Sequence, residues 1–563
     1  MQVEWDVPIP MDDGVELRAD VFRPDDDGRY PVIVSCGPYG KGLHFGEGFP
    51  GRWSQLTRDH PDVVAGTSSA YANFEMPDPE KWVPDGYVCV RIDSRGAGRS
   101  PGHLCLFQER ETLDLYACIE WAARQPWSTG KVGLSGISYL AINQYQVATR
   151  QPPSLAAMIP WEGAADFYRD ATYHGGIRSA FWDVLLEGLI GRVQHGYGDR
   201  GFTNPNNGEL VAGPETLSDE ELAANRCDFR AEMRAHPLDD DWHRVRSPDW
   251  SKVVVPFLSA GNWGGHGLHL RGNVEAFVRA ASPRKWLEIH GLEHWAHYYT
   301  DYGVALQKQF FDHFLKGEDN GWAERPPVLL QVRTVDGFVE RAEHEWPLAR
   351  TQWTRLHLDA RDAALSWEAP AEAASVAYEP LDSSGVTFLS PPLDRETELT
   401  GPVAARLSIE SATTDADLFV VVHVLDPAGE ELRFIGAQGP GMPVAQGWLR
   451  ASHRKLDEAL TEQYRPYHSH DEPMPLEPGV VTSLDVEIWP TSLVIPPGHR
   501  IAFTVRGTDL FADRDPGRPE SFGPGHIMHD DPDDHPRDPF GGTVRVHTGG
   551  AHEAYVLLPV IPG

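Results

Sequence analysis

The sequence predicts an α/β unit, built on a mostly parallel sheet covered by helices, with an all-β sandwich behind it. Three observations support this. Short apolar runs alternate with helical patterns up to Leu315, the order expected of strands joined by helical crossovers. An acidic, aromatic-rich stretch from 166 to 250 interrupts the alternation. After Gly317-Glu-Asp-Asn-Gly321 and Pro326-Pro327 the helical signals fade, and short β-rich runs follow with proline and glycine turns between them.

Val15 to Arg23 alternates polar and apolar residues as a half-buried antiparallel edge strand does, whereas Pro31 to Ser35 and Tyr87 to Ile92 are continuous apolar runs that suit central strands. Between Glu111 and Arg124, the residues Leu113, Tyr116, Ala117, Ile119 and Ala123 approximate one helical face. Val132-Gly-Leu134 then leads into a turn at Ser138 and a further helix. Leu155 to Ile159, Val253 to Leu258 and Trp286 to Ile289 supply later strands, the last followed by a helix from Thr300 to Leu315. Inside the interruption, Ser218-Asp-Glu-Glu221 is a capping box: the serine can accept from the glutamate backbone while the glutamate reaches back. The stretch therefore reads as an inserted helical cap. Val328 to Val332, Val403 to Ile409, Leu418 to Leu425, Leu484 to Trp489 and Ile501 to Val505 suit an antiparallel sandwich, a jelly roll. The expected domains are 1–322, with the cap at 166–250, and 323–563.

At 563 residues the chain exceeds what one core supports, and usual domain sizes allow about two to four units. No apolar stretch reaches about 18 residues and the first residues lack a signal-peptide pattern, so a soluble, cytoplasmic protein without a membrane partner is expected. A net charge of -34 opposes nucleic acid or an anionic membrane as partner. Cys36, Cys89, Cys105, Cys118 and Cys227 are scattered and odd in number, which suits buried free thiols better than a disulfide framework or a zinc site. A histidine and aspartate cluster between His526 and His535 has a proline-broken spacing that matches no standard metal site. No metal or other cofactor is expected. Homo-oligomerisation is left open.

Chemistry enters at Val132-Gly-Leu-Ser-Gly-Ile-Ser-Tyr-Leu-Ala141. A nucleophile elbow needs glycine two residues before its serine, because the strand-to-helix turn leaves no room for a side chain. Gly136 supplies it for Ser138, which is favoured over Ser135; the usual second glycine is replaced by Leu140, with the small Ala141 one place later. A serine nucleophile needs a base, and in an α/β-hydrolase that histidine lies on the loop after the last strand. His290-Gly-Leu-Glu-His294-Trp-Ala-His297 stands there. His294 is the favoured base, with His290 and His297 as competitors.

The chain resembles the CocE/NonD acyl hydrolases, the family of cocaine esterase and α-amino-acid ester hydrolases, related to X-prolyl dipeptidyl-peptidases. The likeness rests on Gly37-Pro-Tyr-Gly-Lys41, Arg91-Ile-Asp-Ser-Arg-Gly-Ala-Gly-Arg-Ser100, Gly136-Ile-Ser-Tyr-Leu-Ala141 and Gly447-Trp-Leu-Arg-Ala-Ser-His453, and spans essentially the whole length. It implies an α/β-hydrolase fold and an oxyanion hole made by a tyrosine hydroxyl and the amide after the nucleophile, here Tyr39 and Tyr139. It also implies an aspartate where this chain has Gly264, within Ala260-Gly-Asn-Trp-Gly-Gly-His266. Either the acid is missing or it has moved to the end of the preceding strand, where Glu162 can approach the same imidazole because parallel strands end on one face of the sheet. The proposed set is Ser138, His294 and Glu162, with Asp166 and Glu293 as competing acids and Asn262 as a neutral substitute. Trp161, Phe167, Tyr168, Trp182 and Trp263 are candidate walls of an acyl pocket. The expected activity is cleavage of a small-molecule ester or amide through an acyl-enzyme. The alternatives are an aminopeptidase that would hold a free amine at Asp166, Asp170 and Asp183, or a decayed scaffold.

Overall fold

The computed structural model describes residues 1–437, 439–510 and 528–563. Strands β1 (Gln2–Pro10), β2 (Glu16–Arg23), β3 (Tyr30–Gly37), β4 (Val88–Asp93), β5 (Ser128–Ile137) and β6 (Leu155–Trp161) lie side by side in the order β1-β2-β4-β3-β5-β6. Phe257–Asn262, Lys285–His290 and Val328–Thr334 continue the sheet. From β4 to Val328–Thr334 every pairing is parallel; β1 and β2 at one end, and Gly337–Glu343 beside Val328–Thr334 at the other, run against their neighbours. The predicted edge strand, β2, is thus the second strand. β1 takes the edge, where Pro8 and Pro10, which have no N–H to give, cost little. The strand expected at Val253 to Leu258 begins only at Phe257, after Pro256.

Parallel pairing gathers the strand ends. Ile137 is in register with Trp161, Trp161 with Ala260, and Asn262 with His290. The turns after these strands therefore open on one edge of the sheet, where α/β proteins place their sites.

Helix α1 (Glu109–Ala123) buries Leu115, Cys118, Ile119 and Ala122, while Leu113 is exposed. The buried face is rotated from the one the apolar spacing predicts because Glu111 and Asp114 turn inward. Glu111 accepts from the Tyr139 hydroxyl at 2.7 Å, and Asp114 pairs with Arg95 at 2.7 Å. Helix α2 (Tyr139–Ala148) is buried along its whole length.

Residues 167–252 form short helices, among them Phe181–Gly188, Asp219–Ala224 and Phe229–Ala235. Both halves of the capping box at Ser218 are made. Beyond residue 350 the chain is β-rich. Thr397–Ser411 pairs with Thr482–Ile495 and Tyr555–Ile561, and Arg500–Arg506 joins Val386–Leu389 to Asp417–Leu425, all antiparallel. Leu407, Val420, Val486, Phe503 and Val556 meet in its core. Trp263, Trp346, Phe419, Trp448 and Trp489 fill the junction with the first half. Arg169 ties the insert across it by donating to the His468 carbonyl at 2.8 Å. Among the described residues no helix is long and apolar enough to cross a membrane.

Candidate active site

Ser138 sits between β5 and α2 with φ 58° and ψ −115°, a conformation that L-residues adopt only when the surroundings enforce it. Two backbone bonds do so: the Ser138 N–H donates to the Trp161 carbonyl at 3.0 Å, and the Ile137 N–H to the Glu75 carbonyl at 3.2 Å. Gly136 has φ 155°, and a Cβ there would lie 2.5 Å from that of Leu140. Leu140 stands in place of the elbow's second glycine, and glycine on the facing strands makes room for it: a Cβ on Gly37 would lie 3.0 Å from Leu140 Cδ1. A Cβ on Gly163 would stand 3.3 Å from Ala141. Ser135, by contrast, is buried in β5 against the Tyr298 hydroxyl at 2.9 Å.

His294 lies on the loop after Lys285–His290, its backbone N–H held by the Ala437 carbonyl at 2.9 Å. Its Nδ1 is 2.6 Å from Glu162 Oε2 and its Nε2 is 3.1 Å from Glu75 Oε1. Glu162 follows β6 with φ 49°, and its Oε1 faces His290 Nε2 at 3.3 Å and the Asn262 amide at 3.2 Å. His290 in turn meets Glu288 at 2.7 Å. The result is a buried row in which carboxyl and imidazole groups alternate: Glu288, His290, Glu162, His294, Glu75.

Burial alone would strip the imidazoles of their protons, but the carboxylates on either side outweigh it. His294 is raised to about 10 and His290 to about 9. Glu162 is pulled down, against the push of burial, by His294 and His290. Glu75 goes the other way: burial raises it, its contact with His294 only partly offsets that, and its Oε2 has no hydrogen-bond partner among the described residues. At rest Nε2 of His294 therefore points its proton at Glu75, and no hydrogen bond joins it to Ser138.

The buried Tyr39 hydroxyl interacts with the Ser138 side chain and with the Tyr139 backbone N–H, and burial raises it well above an ordinary phenol. The Tyr139 side chain turns away, stacks on Phe107 at 3.9 Å and donates to Glu111, which burial raises to about 7.

The other candidates have different surroundings. His297 is lowered to about 3 by burial and contacts Gln331 at 3.1 Å. Asp166 caps its own helix, pairs with Arg169 at 2.8 Å and accepts from Tyr467 at 3.0 Å. Glu293 meets Gln55 and His60, both at 3.2 Å. Asn262 touches Glu162 and not His294. The carboxylates weighed as an amine site are already matched to cations, Asp170 to Arg271 and Asp183 to Arg178 and Arg230.

Gly264, where an aspartate would align, has an obstacle overhead. A Cβ there would come within 2.5 Å of Gly436 Cα and 2.8 Å of the Ile435 carbonyl oxygen. The strand end has no room for a side chain, and the same crossing segment supplies Ala437 to hold His294.

Of the candidate wall residues, Phe167 and Trp182 both pack on Phe107 at 5.3 Å. Trp161 packs on Tyr298 and His290, Tyr168 stacks on Tyr173, and Trp263 joins the junction by donating to the Gln331 carbonyl. The sequence reading missed a second aromatic group, in which Phe74 contacts Tyr39 at 5.3 Å, Trp295 at 5.7 Å and Phe49 at 4.3 Å. It also missed Glu75, which sits in a loop between β3 and β4 with φ 64° and no motif around it. In the His526–His535 cluster, His529 pairs with Asp509 and His535 with Asp417, Asp531 is taken by Arg178, and His526 lies outside the described residues.

Residues 13–299 match the family model described as X-Pro dipeptidyl-peptidase (S15 family), and residues 320–557 match the X-Pro dipeptidyl-peptidase C-terminal non-catalytic domain. Cocaine esterase from a Rhodococcus species is 25% identical, with 99% of this chain and 98% of the esterase covered. A crystal structure of a CocE/NonD family hydrolase from Staphylococcus aureus is similar at a TM-score of 0.85 and 32% identity, covering 100% of this chain and 93% of that one. An α-amino-acid ester hydrolase structure shares the fold at a TM-score of 0.69 and 17% identity, covering 99% of this chain and 96% of that one.

Proposed function

The chain belongs to the X-Pro dipeptidyl-peptidase (S15) family and is a serine hydrolase; from that premise we propose that it cleaves a small ester or amide through an acyl-enzyme on Ser138. The observation that carries this reading is the 2.6 Å contact between Glu162 and His294 Nδ1, made by two buried residues beside a strained serine. An acid on Nδ1 fixes the tautomer that leaves Nε2 to take the serine proton.

In this mechanism the Ser138 hydroxyl attacks the substrate carbonyl while neutral His294 accepts its proton at Nε2. The oxyanion is met by the Tyr39 hydroxyl and by the Tyr139 N–H, which opens α2, so the helix dipole adds to both donors. His294 then passes the proton to the leaving group, and water repeats the sequence to release the acid. For this His294 must be neutral and must exchange Glu75 for Ser138, so Glu75 sets how readily the base becomes available. Phe74 contacts Tyr39 and Phe107 contacts Tyr139, with Trp295 packed on Phe74 and Phe167 and Trp182 packed on Phe107, which suits an apolar or aromatic acyl or leaving group. Ester cleavage is favoured over removal of N-terminal aminoacyl groups because Asp166, Asp170 and Asp183 already hold arginines.

The same reading assigns residues 1–322 to an α/β-hydrolase domain whose cap is 166–250, and residues 323–563 to a jelly roll. A rapid-mixing experiment with a p-nitrophenyl ester tests it. A burst of one p-nitrophenolate per chain, with the acyl mass recovered on Ser138, supports the acyl-enzyme. Turnover without a burst, and with no acyl adduct after acid quench, rules against it.

A further inference from the structure

The five cysteines fall into two groups. Cys36, Cys89 and Cys118 are buried, and burial pushes their thiols up, that of Cys89 to about 12. Cys105 and Cys227, expected from the sequence to be buried free thiols, are instead half-buried neighbours. The loop after β4 and the helical insert meet here as a short parallel pair. The Leu104 N–H donates to the Asn225 carbonyl and the Cys227 N–H to the Leu104 carbonyl, both at 2.9 Å, with Leu104 in register with Arg226. The next register brings Cys105 beside Cys227. Their sulfurs and a Glu232 carboxylate oxygen all lie within 4.8 Å of one another.

The surroundings make the two thiols unequal. Arg246 is buried, its guanidinium lies 3.9 Å over the Trp242 ring, and its Nε has no hydrogen-bond partner among the described residues. The contact with Cys227 lowers the Cys105 thiol against the push of burial and of the Glu232 carboxylate, with a smaller pull from the Arg246 charge, while the contact with Cys105 and burial raise that of Cys227. Glu232 is turned toward Trp242, whose Nε1 donates to it at 3.0 Å, and lies 3.7 Å from Arg246. Arg246 thus sets a positive charge against the Glu232 carboxylate, the group that a divalent cation would need together with the two sulfurs. Cys227 also borders a cleft of about 610 Å³, shared with Asp183, Glu187, Arg192 and Arg230, which gives small solutes a way in.

We propose that Cys105 and Cys227 are a redox-active thiol pair in which Cys105 attacks a hydroperoxide and Cys227 resolves the product as a disulfide. The Cys105 thiolate attacks the terminal peroxide oxygen; the O–O bond breaks, an alcohol or water leaves with one proton, and Cys105 becomes a sulfenic acid. The Cys227 sulfur then attacks the Cys105 sulfur, the S–O bond breaks, and water leaves with the Cys227 proton. The two thiols lose two electrons in all, and the peroxide bond takes them. Backbone pairing sets the two residues side by side with their sulfurs within 4.8 Å, and neighbouring strands stand about 4.7–4.9 Å apart, inside the Cα range that disulfides tolerate, so closure asks for side-chain rotation.

The bond would tie the insert to the wall of the candidate active site. Phe107, two residues after Cys105, stacks on Tyr139. Phe229, two residues after Cys227, contacts Phe167 and Trp182, both of which pack on Phe107.

The test is peptide mapping of the full-length protein after hydrogen peroxide treatment and alkylation under native conditions. The expected result is a linked Cys105–Cys227 peptide that dithiothreitol removes, with Cys36, Cys89 and Cys118 still reduced. Untreated protein should alkylate at Cys105 at least tenfold faster than at Cys227. Cys227→Ser should stop at a sulfenic acid on Cys105 that dimedone captures, and Cys105→Ser should leave Cys227 unoxidised. Over-oxidation of wild-type Cys105 to the sulfinic acid with no linked peptide would overturn the proposal, as would zinc bound one per chain and released only when these two thiols are alkylated. The wild-type measurement decides the matter even if a variant fails to fold.

Discussion

Glu75→Gln is the perturbation that probes the buried row of carboxyl and imidazole groups most sharply. The substitution keeps the shape of the side chain and removes its charge from a position 3.1 Å from His294 Nε2, leaving the Glu162 contact at 2.6 Å intact. A carboxylate this close to a buried imidazole favours its protonated form by about one to three pH units. In the wild type His294 is held near 10, so the general base is mostly unavailable at neutral pH and kcat/KM should climb with pH toward that value. Removing the Glu75 charge should move this acidic limb down by about one to three pH units. Below both limbs the rate follows the neutral fraction of His294, so kcat/KM at fixed pH should rise about tenfold for each unit the limb moves. The assay is kcat/KM for a p-nitrophenyl ester across the pH range, read from the free-enzyme limb. A limb that stays in place in the folded variant would refute the reasoning, whether activity is kept or lost, because it would mean that the Glu75 charge does not govern the base.

Other outcomes follow from the same geometry. Tyr39→Phe should lower kcat by about 100-fold or more with little change in KM, since the hydroxyl acts on the oxyanion and not on the bound ester; steady-state kinetics checks this. Gly264→Asp, which restores the residue the family pattern expects, should destabilise the fold by on the order of 1–3 kcal/mol or more, because the new Cβ meets the Gly436 backbone. It should also fail to rescue Glu162→Gln; thermal melting and a double-variant assay check both. The raised values of His290 and His294, about 9 and 10 against 6.5, give stabilisation that is full below about pH 6.5 and lost as pH rises through those values, since the folded state then holds protons the unfolded state has released. The urea midpoint should accordingly fall between pH 7 and 10 and fall less in Glu162→Gln; a flat or rising midpoint would contradict this.

Local signals made much of this molecule legible in its sequence. The parallel strands declared themselves as apolar runs, the Ser218 cap as a capping box, and Ser138 by the glycine its turn requires. What escaped depends on contacts between distant segments. The face of α1 rotates because Glu111 finds Tyr139 and Asp114 finds Arg95, which apolar spacing cannot reveal. Gly264 looks like a lost aspartate until residues 435–437 are seen to cross it. Glu75 stands in a loop more than 200 residues from His294, and the junction of Cys105 with Cys227 rests on two backbone hydrogen bonds between a loop and an insert. Only the fold brings these residues together.

The central claim, that Ser138 is activated by His294 under the hold of Glu162, is tested most directly by the rate and site of fluorophosphonate labelling. Wild-type protein should carry the adduct on Ser138. Ser138→Ala should carry none, and Glu162→Gln should label more slowly by a factor on the order of 10³–10⁴. An adduct on another serine, or a labelling rate on Ser138 unchanged by Glu162→Gln in a folded protein, would contradict the account.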